Sequence, residues 1–82
     1  MKLEVRYHAF LREKLGRESE LLAVSGESAN VSAMVNAFVV LHPEMERFTG
    51  ALNIAVNDEI VSRDTPVREG DRIDLLPPYG GG

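Results

Sequence analysis

The period of apolar and polar positions changes repeatedly along the chain, and each change marks an element. From Lys2 to Ala9 the two kinds alternate, with Leu3, Val5, Tyr7 and Ala9 on one side and Lys2, Glu4, Arg6 and His8 on the other. That is the period-two signature of a half-buried strand. Phe10 to Leu15 breaks the alternation and Gly16 follows, which predicts a short helical turn closed by a glycine C-cap and laid over the sheet through Phe10 and Leu15. Glu20 to Val24 reads as a second, shorter strand that pairs with the first, bounded by Ser25-Gly26-Glu27-Ser28. Asn30 is suited to cap a helix because its side-chain oxygen can accept from an unpaired amide of the first turn. Val31, Met34, Val35, Phe38 and Leu41 then recur at helical spacing, and His42-Pro43 stops them, because the residue before a proline is pushed out of the α region. Val39 and Val40 widen the apolar face and, being β-branched, would also suit a strand; length and capping favour the helix.

Beyond the helix, Pro43-Glu44-Met45-Glu46 predicts one more short turn, with proline where a missing amide does no harm and carboxylates at the positive helix end. Leu52 to Val56 reads as a strand, Asn57-Asp58 as a tight turn and Glu59 to Val61 as the return strand. Arg63 to Arg68 reads as connecting loop and Glu69-Gly70-Asp71 as a turn. Arg72 to Leu76 is the last strand, sending Ile73 and Leu75 inward and Leu76 outward. The expected fold class is α+β, a mixed sheet of four to five strands packed on one main helix. Placing the first and last strands side by side in parallel gives the ubiquitin-like β-grasp, with a domain over residues 1–78 and a flexible C-terminal glycine tail, 79–82, pointing outward.

Length restricts the chemistry that such a chain can house. Its 82 residues form one domain, too small to wall in a deep active site of its own. Without cysteine there is no disulfide framework, thiolate metal site or thiol nucleophile, which fits a reducing, cytoplasmic setting. The longest apolar run, Val31 to Leu41, falls short of the ~20 residues of a membrane span, and no secretory signal pattern opens the chain. A net charge of −4 and a pI near 5.0 argue against binding a nucleic-acid backbone.

The candidate chemistry lies after Leu76, where strand residues give way to Pro77-Pro78-Tyr79-Gly80-Gly81-Gly82. The prolines favour an extended path, and the residues from Tyr79 onward reach at most roughly 13–14 Å. Glycines allow a narrow channel to close around the backbone. The Gly82 carboxylate is a poor electrophile until it is activated, for instance by adenylation, after which a sulfur donor would make a thiocarboxylate or an amine an amide. A frayed terminus or an engineered remnant are the alternatives, and the direct join of strand, di-proline and glycines speaks against both. Leu76, turned outward beside the tail, reads either as an interface anchor or as local packing beneath Phe48 or Leu52. Arg12, with Glu13 and Lys14, is a charged turn that is either wet or a partner contact. His8 and His42 are far apart in sequence and fall short of metal-ligand spacing, so no metal site is expected. Asp58, Glu59, Asp64, Glu69, Asp71 and Asp74 are scattered through turns and strand edges without an obvious catalytic pair, and most read as solvation and turn chemistry.

Ile54-Ala55-Val56-Asn57, Asp64-Thr65-Pro66-Val67, Glu69-Gly70-Asp71 and Leu75-Leu76-Pro77-Pro78 before Gly81-Gly82 together resemble the MoaD family, the small subunits of molybdopterin synthase. Phe10-Leu11-Arg12-Glu13 is similar to the same family's motif after its first strand. The resemblance runs the whole length and implies a sulfur carrier of the MoaD/ThiS type. Gly82 would be adenylated by a MoeB-like enzyme, using that partner's ATP and Mg, and would then receive sulfur from a donor system. A MoaE-like large subunit, in a heterotetramer, would supply the catalytic side chains and use two charged carriers to build the dithiolene from cyclic pyranopterin monophosphate. Leu76, Pro77, Pro78, Tyr79, Gly80, Gly81 and Arg12 would contact partners, and no cofactor would be tightly bound. A carrier for another pathway, a protein modifier using the same tail, and a non-covalent β-grasp adaptor are the other readings.

Overall fold

The first strand, β1 (Lys2–Tyr7), buries Leu3, Val5 and Tyr7 and leaves alternate positions outward. It stops short of Ala9, which the alternation had included: the chain turns out at Ala9 (φ 52, ψ −130) into helix α1, Phe10–Leu15. Gly16 closes α1 at φ 70, its N–H donating to the Arg12 carbonyl at 2.9 Å, a left-handed cap that glycine adopts without a Cβ penalty. Strand β2 (Ser19–Ala23) returns antiparallel to β1, with Glu20 opposite Val5 and Leu22 opposite Leu3. This computed structural model describes residues 1–78.

Helix α2 (Val31–Leu41) begins where expected, the Asn30 side-chain oxygen accepting the Ala33 N–H at 3.0 Å. Two more of its first amides, those of Val31 and Ser32, donate to the carbonyls of Thr65 and Arg63 at 2.9 and 3.0 Å, so a distant segment completes the cap. That segment is more than connecting loop. Ala29–Asn30 (β3) pairs antiparallel with Pro66–Val67 (β6), in a second, two-residue sheet. Val31, Met34, Val35 and Phe38 of α2 face the core, Val39 is half-buried, and Val40 points into solvent. The short turn expected after His42 is instead a 3-10 helix spanning Pro43–Ala51, which delays the next strand to Asn53.

Strand β4 (Asn53–Val56) and strand β5 (Glu59–Val61) form a hairpin whose turn residues, Asn57 and Asp58, both have positive φ (49 and 74). That pairing of angles belongs to a type I′ turn, whose twist matches that of the strands. The last strand, β7 (Arg72–Leu76), lies between β1, to which it is parallel, and β4, to which it is antiparallel. The five-stranded order is β2-β1-β7-β4-β5. This is the ubiquitin-like β-grasp, with α2 covering one face and Ile73 and Leu75 fully buried beneath it. Burying a side chain such as Phe38 or Leu75 contributes about 1.5–3 kcal/mol. No described helix is long and apolar enough to cross a membrane.

Candidate functional site

Because β7 is an inner strand, the chain leaves the sheet at Leu76 from between β1 and β4. Leu75 lies opposite Tyr7 of β1 and Ile54 of β4, so Leu76 faces Asn53 on one side and comes level with His8 on the other. Leu76 is half-buried, and it is not among the partly buried residues packed on the core, whereas Phe48 is. It is therefore outward, as the alternation indicates, with half-buried Pro77 and exposed Pro78 beyond it. Tyr79, Gly80, Gly81 and Gly82, the rest of the predicted site, lie outside the described residues.

The outer face of the sheet beside this exit is a row set by register: Ser19, Arg6, Asp74, Ala55 and Ile60 run across all five strands. Ile60 is 60% exposed. Arg12, on α1, is exposed and lies 3.6 Å from Glu18, a weakly held ion pair open to water. Arg12 and His8 line a shallow hollow with Glu4, Arg6, Tyr7, Glu18 and Ser19.

Asp74 is an exception among carboxylates that mostly read as turn and edge solvation. It sits on the outer face yet is 9% exposed. His8 Nε2 lies 2.7 Å from its Oδ1, and Arg72 Nε 3.7 Å from its Oδ2. The guanidinium of Arg72 also bonds Asp58 in the turn between β4 and β5. Other carboxylates do serve turns: Asp71 accepts from the Arg68 amide at 2.8 Å and from Asn57 Nδ2 at 3.0 Å, and Glu69 accepts from the Lys2 amide at 2.8 Å.

His42 also has a carboxylate partner that its sequence neighbourhood did not suggest. Its Nε2 is 2.6 Å from Glu20 Oε2, and the same oxygen accepts the hydroxyl of Tyr7, which is buried in the core. Arg17 completes the set, 2.8 Å from Glu20 Oε1. Burial pushes the Glu20 carboxyl up, but the hydrogen bonds from Tyr7 and His42 and the charges of His42 and Arg17 outweigh it and hold the group below the usual glutamate range. For Tyr7, burial first and the bonded carboxylate second drive the hydroxyl far above its ordinary value, so it stays a proton donor. Glu20 was detectable from its pattern, since it occupies an inward position in line with Leu22 and Val24. Asp74 and His8 gave no such signal, because only the parallel register brings residues 66 positions apart together. Among the described residues no group of three or more His, Asp or Glu could hold a metal ion.

The comparisons with known proteins agree with this geometry. Over its whole length the chain is 25% identical to the molybdopterin synthase sulfur carrier subunit of Chlamydomonas reinhardtii, which it also covers fully. SAMP1 of Haloferax volcanii, a small archaeal modifier protein, superposes with a TM-score of 0.84 at 29% identity over the whole of both chains. In the complex of subunits 1 and 2 of the molybdopterin-converting factor from Helicobacter pylori, the matching chain aligns at a TM-score of 0.66 and 29% identity, again with full coverage of both. The ThiS family pattern matches residues 5–82, from β1 through the glycine end, and the chain belongs to the ThiS family.

Proposed function

We propose that this chain is a sulfur carrier of the molybdopterin-synthase type. A Gly82 carboxylate oxygen attacks the α-phosphorus of ATP on a MoeB-like enzyme, expelling pyrophosphate and leaving an acyl adenylate. Hydrosulfide from the sulfur donor then displaces AMP, leaving a thiocarboxylate that the tail carries to a MoaE-like large subunit that sulfurates cyclic pyranopterin monophosphate. Hydrolysis of the spent acyl group returns the carboxylate. The observation that carries this reading is the inner position of β7, which releases Pro77 and Pro78 from the middle of the sheet beside an outward Leu76. A partner can thereby grip the sheet face and take the tail at once. Leu76, Pro77, Pro78 and Arg12 are the contacts proposed on the body, with Tyr79, Gly80 and Gly81 continuing into the partner. The Helicobacter pylori complex of subunits 1 and 2 and the algal sulfur carrier subunit support a large-subunit partner.

The test is intact-protein mass after incubation with a MoeB-type enzyme, Mg-ATP and a sulfur donor, beside a chain lacking Gly82. A gain equal to one oxygen exchanged for sulfur, confined to the full chain, is the expected result; the same gain without Gly82 refutes the tail. The similarity to a small archaeal modifier protein favours a second reading, in which the same adenylate acylates a lysine amine. Conjugated bands, in place of the sulfur gain, are its signature.

A further inference from the structure

We propose that His8, oriented by Asp74, is a specificity-determining contact for the large-subunit partner, offering its free ring nitrogen, Nδ1, as an acceptor to a hydrogen-bond donor on that partner. The inference rests on the carrier reading and adds the partner chemistry that the tail root selects.

The geometry begins with Asp74. An outer-face strand position is ordinarily solvated, and a carboxylate withdrawn from water there needs partners. His8 supplies the hydrogen bond, at 2.7 Å, and Arg72 a positive charge 3.7 Å away. An ionised carboxylate only accepts, so the proton lies on His8 Nε2, and in the neutral ring Nδ1 is then the acceptor. Among the described residues Asp74 is the one hydrogen-bond partner of the ring, and the His8 side chain remains 42% exposed while that of Asp74 is 13% exposed.

The backbone holds this arrangement in place. Ala9 adopts φ 52 and ψ −130, a conformation that side chains other than glycine rarely take. The turn is tied by Leu11 N–H donating to the His8 carbonyl at 3.1 Å and Arg12 N–H to that of Ala9 at 3.2 Å. It ends β1 at the level of Leu76, so the imidazole stands beside the tail root.

The surroundings define the partner. On the same outer face Ile60, Leu76 and Pro77 present apolar surface, while Arg6 and Arg12 flank the imidazole, and a partner surface that closes over the tail root removes Nδ1 from water. A partner with a donor at that point satisfies it; one with an apolar group there leaves a buried acceptor unpaired, a loss that separates partners by about tenfold. No such discrimination follows from the glycine tail, which any channel for a bare backbone would accept.

Amide substitutions separate the two ring nitrogens. His8→Asn sets an amide oxygen near the place of Nδ1 and gives up the bond to Asp74, whereas His8→Gln sets an amide nitrogen toward Asp74 and lacks the acceptor. Calorimetric titration of each full-length variant into the cognate large-subunit-type protein is expected to place His8→Asn about threefold below the parent, because it keeps the acceptor but loses the orienting bond, with His8→Gln and His8→Phe about tenfold weaker. Thermal unfolding of the variants near that of the parent assigns the loss to docking. Equal binding by all of them, or His8→Asn as weak as His8→Gln, overturns the inference alone if the parent chain binds and acquires sulfur. A parent chain that neither binds nor acquires sulfur overturns the carrier reading, and this inference with it.

Discussion

Two histidine–carboxylate pairs of nearly equal length sit on opposite faces of one sheet and do different work. His42 and Glu20, 2.6 Å apart, are 17% and 11% exposed and share their oxygen with the hydroxyl of Tyr7. His8 and Asp74, 2.7 Å apart, are 42% and 13% exposed, with Arg72 alongside. In the first pair every group is enclosed, so Glu20 ties the edge strand β2 to the C-terminal end of α2. In the second only the carboxylate is enclosed, and the imidazole is open to solvent beside Leu76. Exposure of the histidine, more than the length of the bond, separates a structural clasp from a recognition contact.

The sharpest way to break that comparison is to remove each carboxylate. Glu20→Ala leaves the buried Tyr7 hydroxyl without its acceptor and is expected to cost about 2–3 kcal/mol in urea unfolding. Asp74→Ala leaves an exposed His8 that can rehydrate and an Arg72 still bonded to Asp58, and is expected to cost less, about 1 kcal/mol. Equal losses at the two sites would show that both pairs are structural.

Acid should act through the enclosed pair. The Glu20 carboxyl is depressed in the folded protein, so its contribution is fully present above the unfolded glutamate value and is lost as pH falls through the lower folded one. Urea midpoints followed downward from neutral pH should fall across that acidic window, and the Glu20-dependent part of the fall should be missing in Glu20→Gln. An unchanged acid profile in that variant would remove Glu20 from the account.

Relief of strain at the exposed pair is a smaller effect of opposite sign. Ala9→Gly releases a conformational cost of about 1–3 kcal/mol against roughly 0.5–1 kcal/mol of added chain entropy. A stability gain near 1 kcal/mol by denaturant midpoint is expected, accompanied by looser docking as His8 loses its fixed position. Smallest of all is His8→Gln in the free protein, expected to stay within about 0.5 kcal/mol of the parent; a larger loss would move His8 from recognition to folding.

Much of the fold was legible from local pattern. Period-two alternation exposed the inward set of β1, including Tyr7, and the outward turn of Leu76. Asn30 marked the start of α2, and Gly16 the end of α1, because capping depends on a few adjacent groups. What was missed lies where pattern stops being local. The alternation ran through Ala9, but the backbone turned to place α1. The segment before Arg68 looked like loop because a two-residue pairing with Ala29–Asn30 has too few positions to show a period. The reach of the 3-10 helix to Ala51 escaped because Phe48 is held by distant packing, its ring 5.1 Å from that of Phe10.

The same division holds for the site. By itself the sequence determined the succession of elements, the class of fold and the abrupt change to Pro77-Pro78 and glycine that singles out the tail, since all of these follow from propensity, period and backbone freedom along a short stretch of chain. Only the tertiary structure decided that β7 would stand between β1 and β4, that Glu20 would meet Tyr7 and His42, and that Asp74 would be sheltered by His8. Those outcomes depend on strand register, and a one-residue slip would turn each of these side chains to the other face.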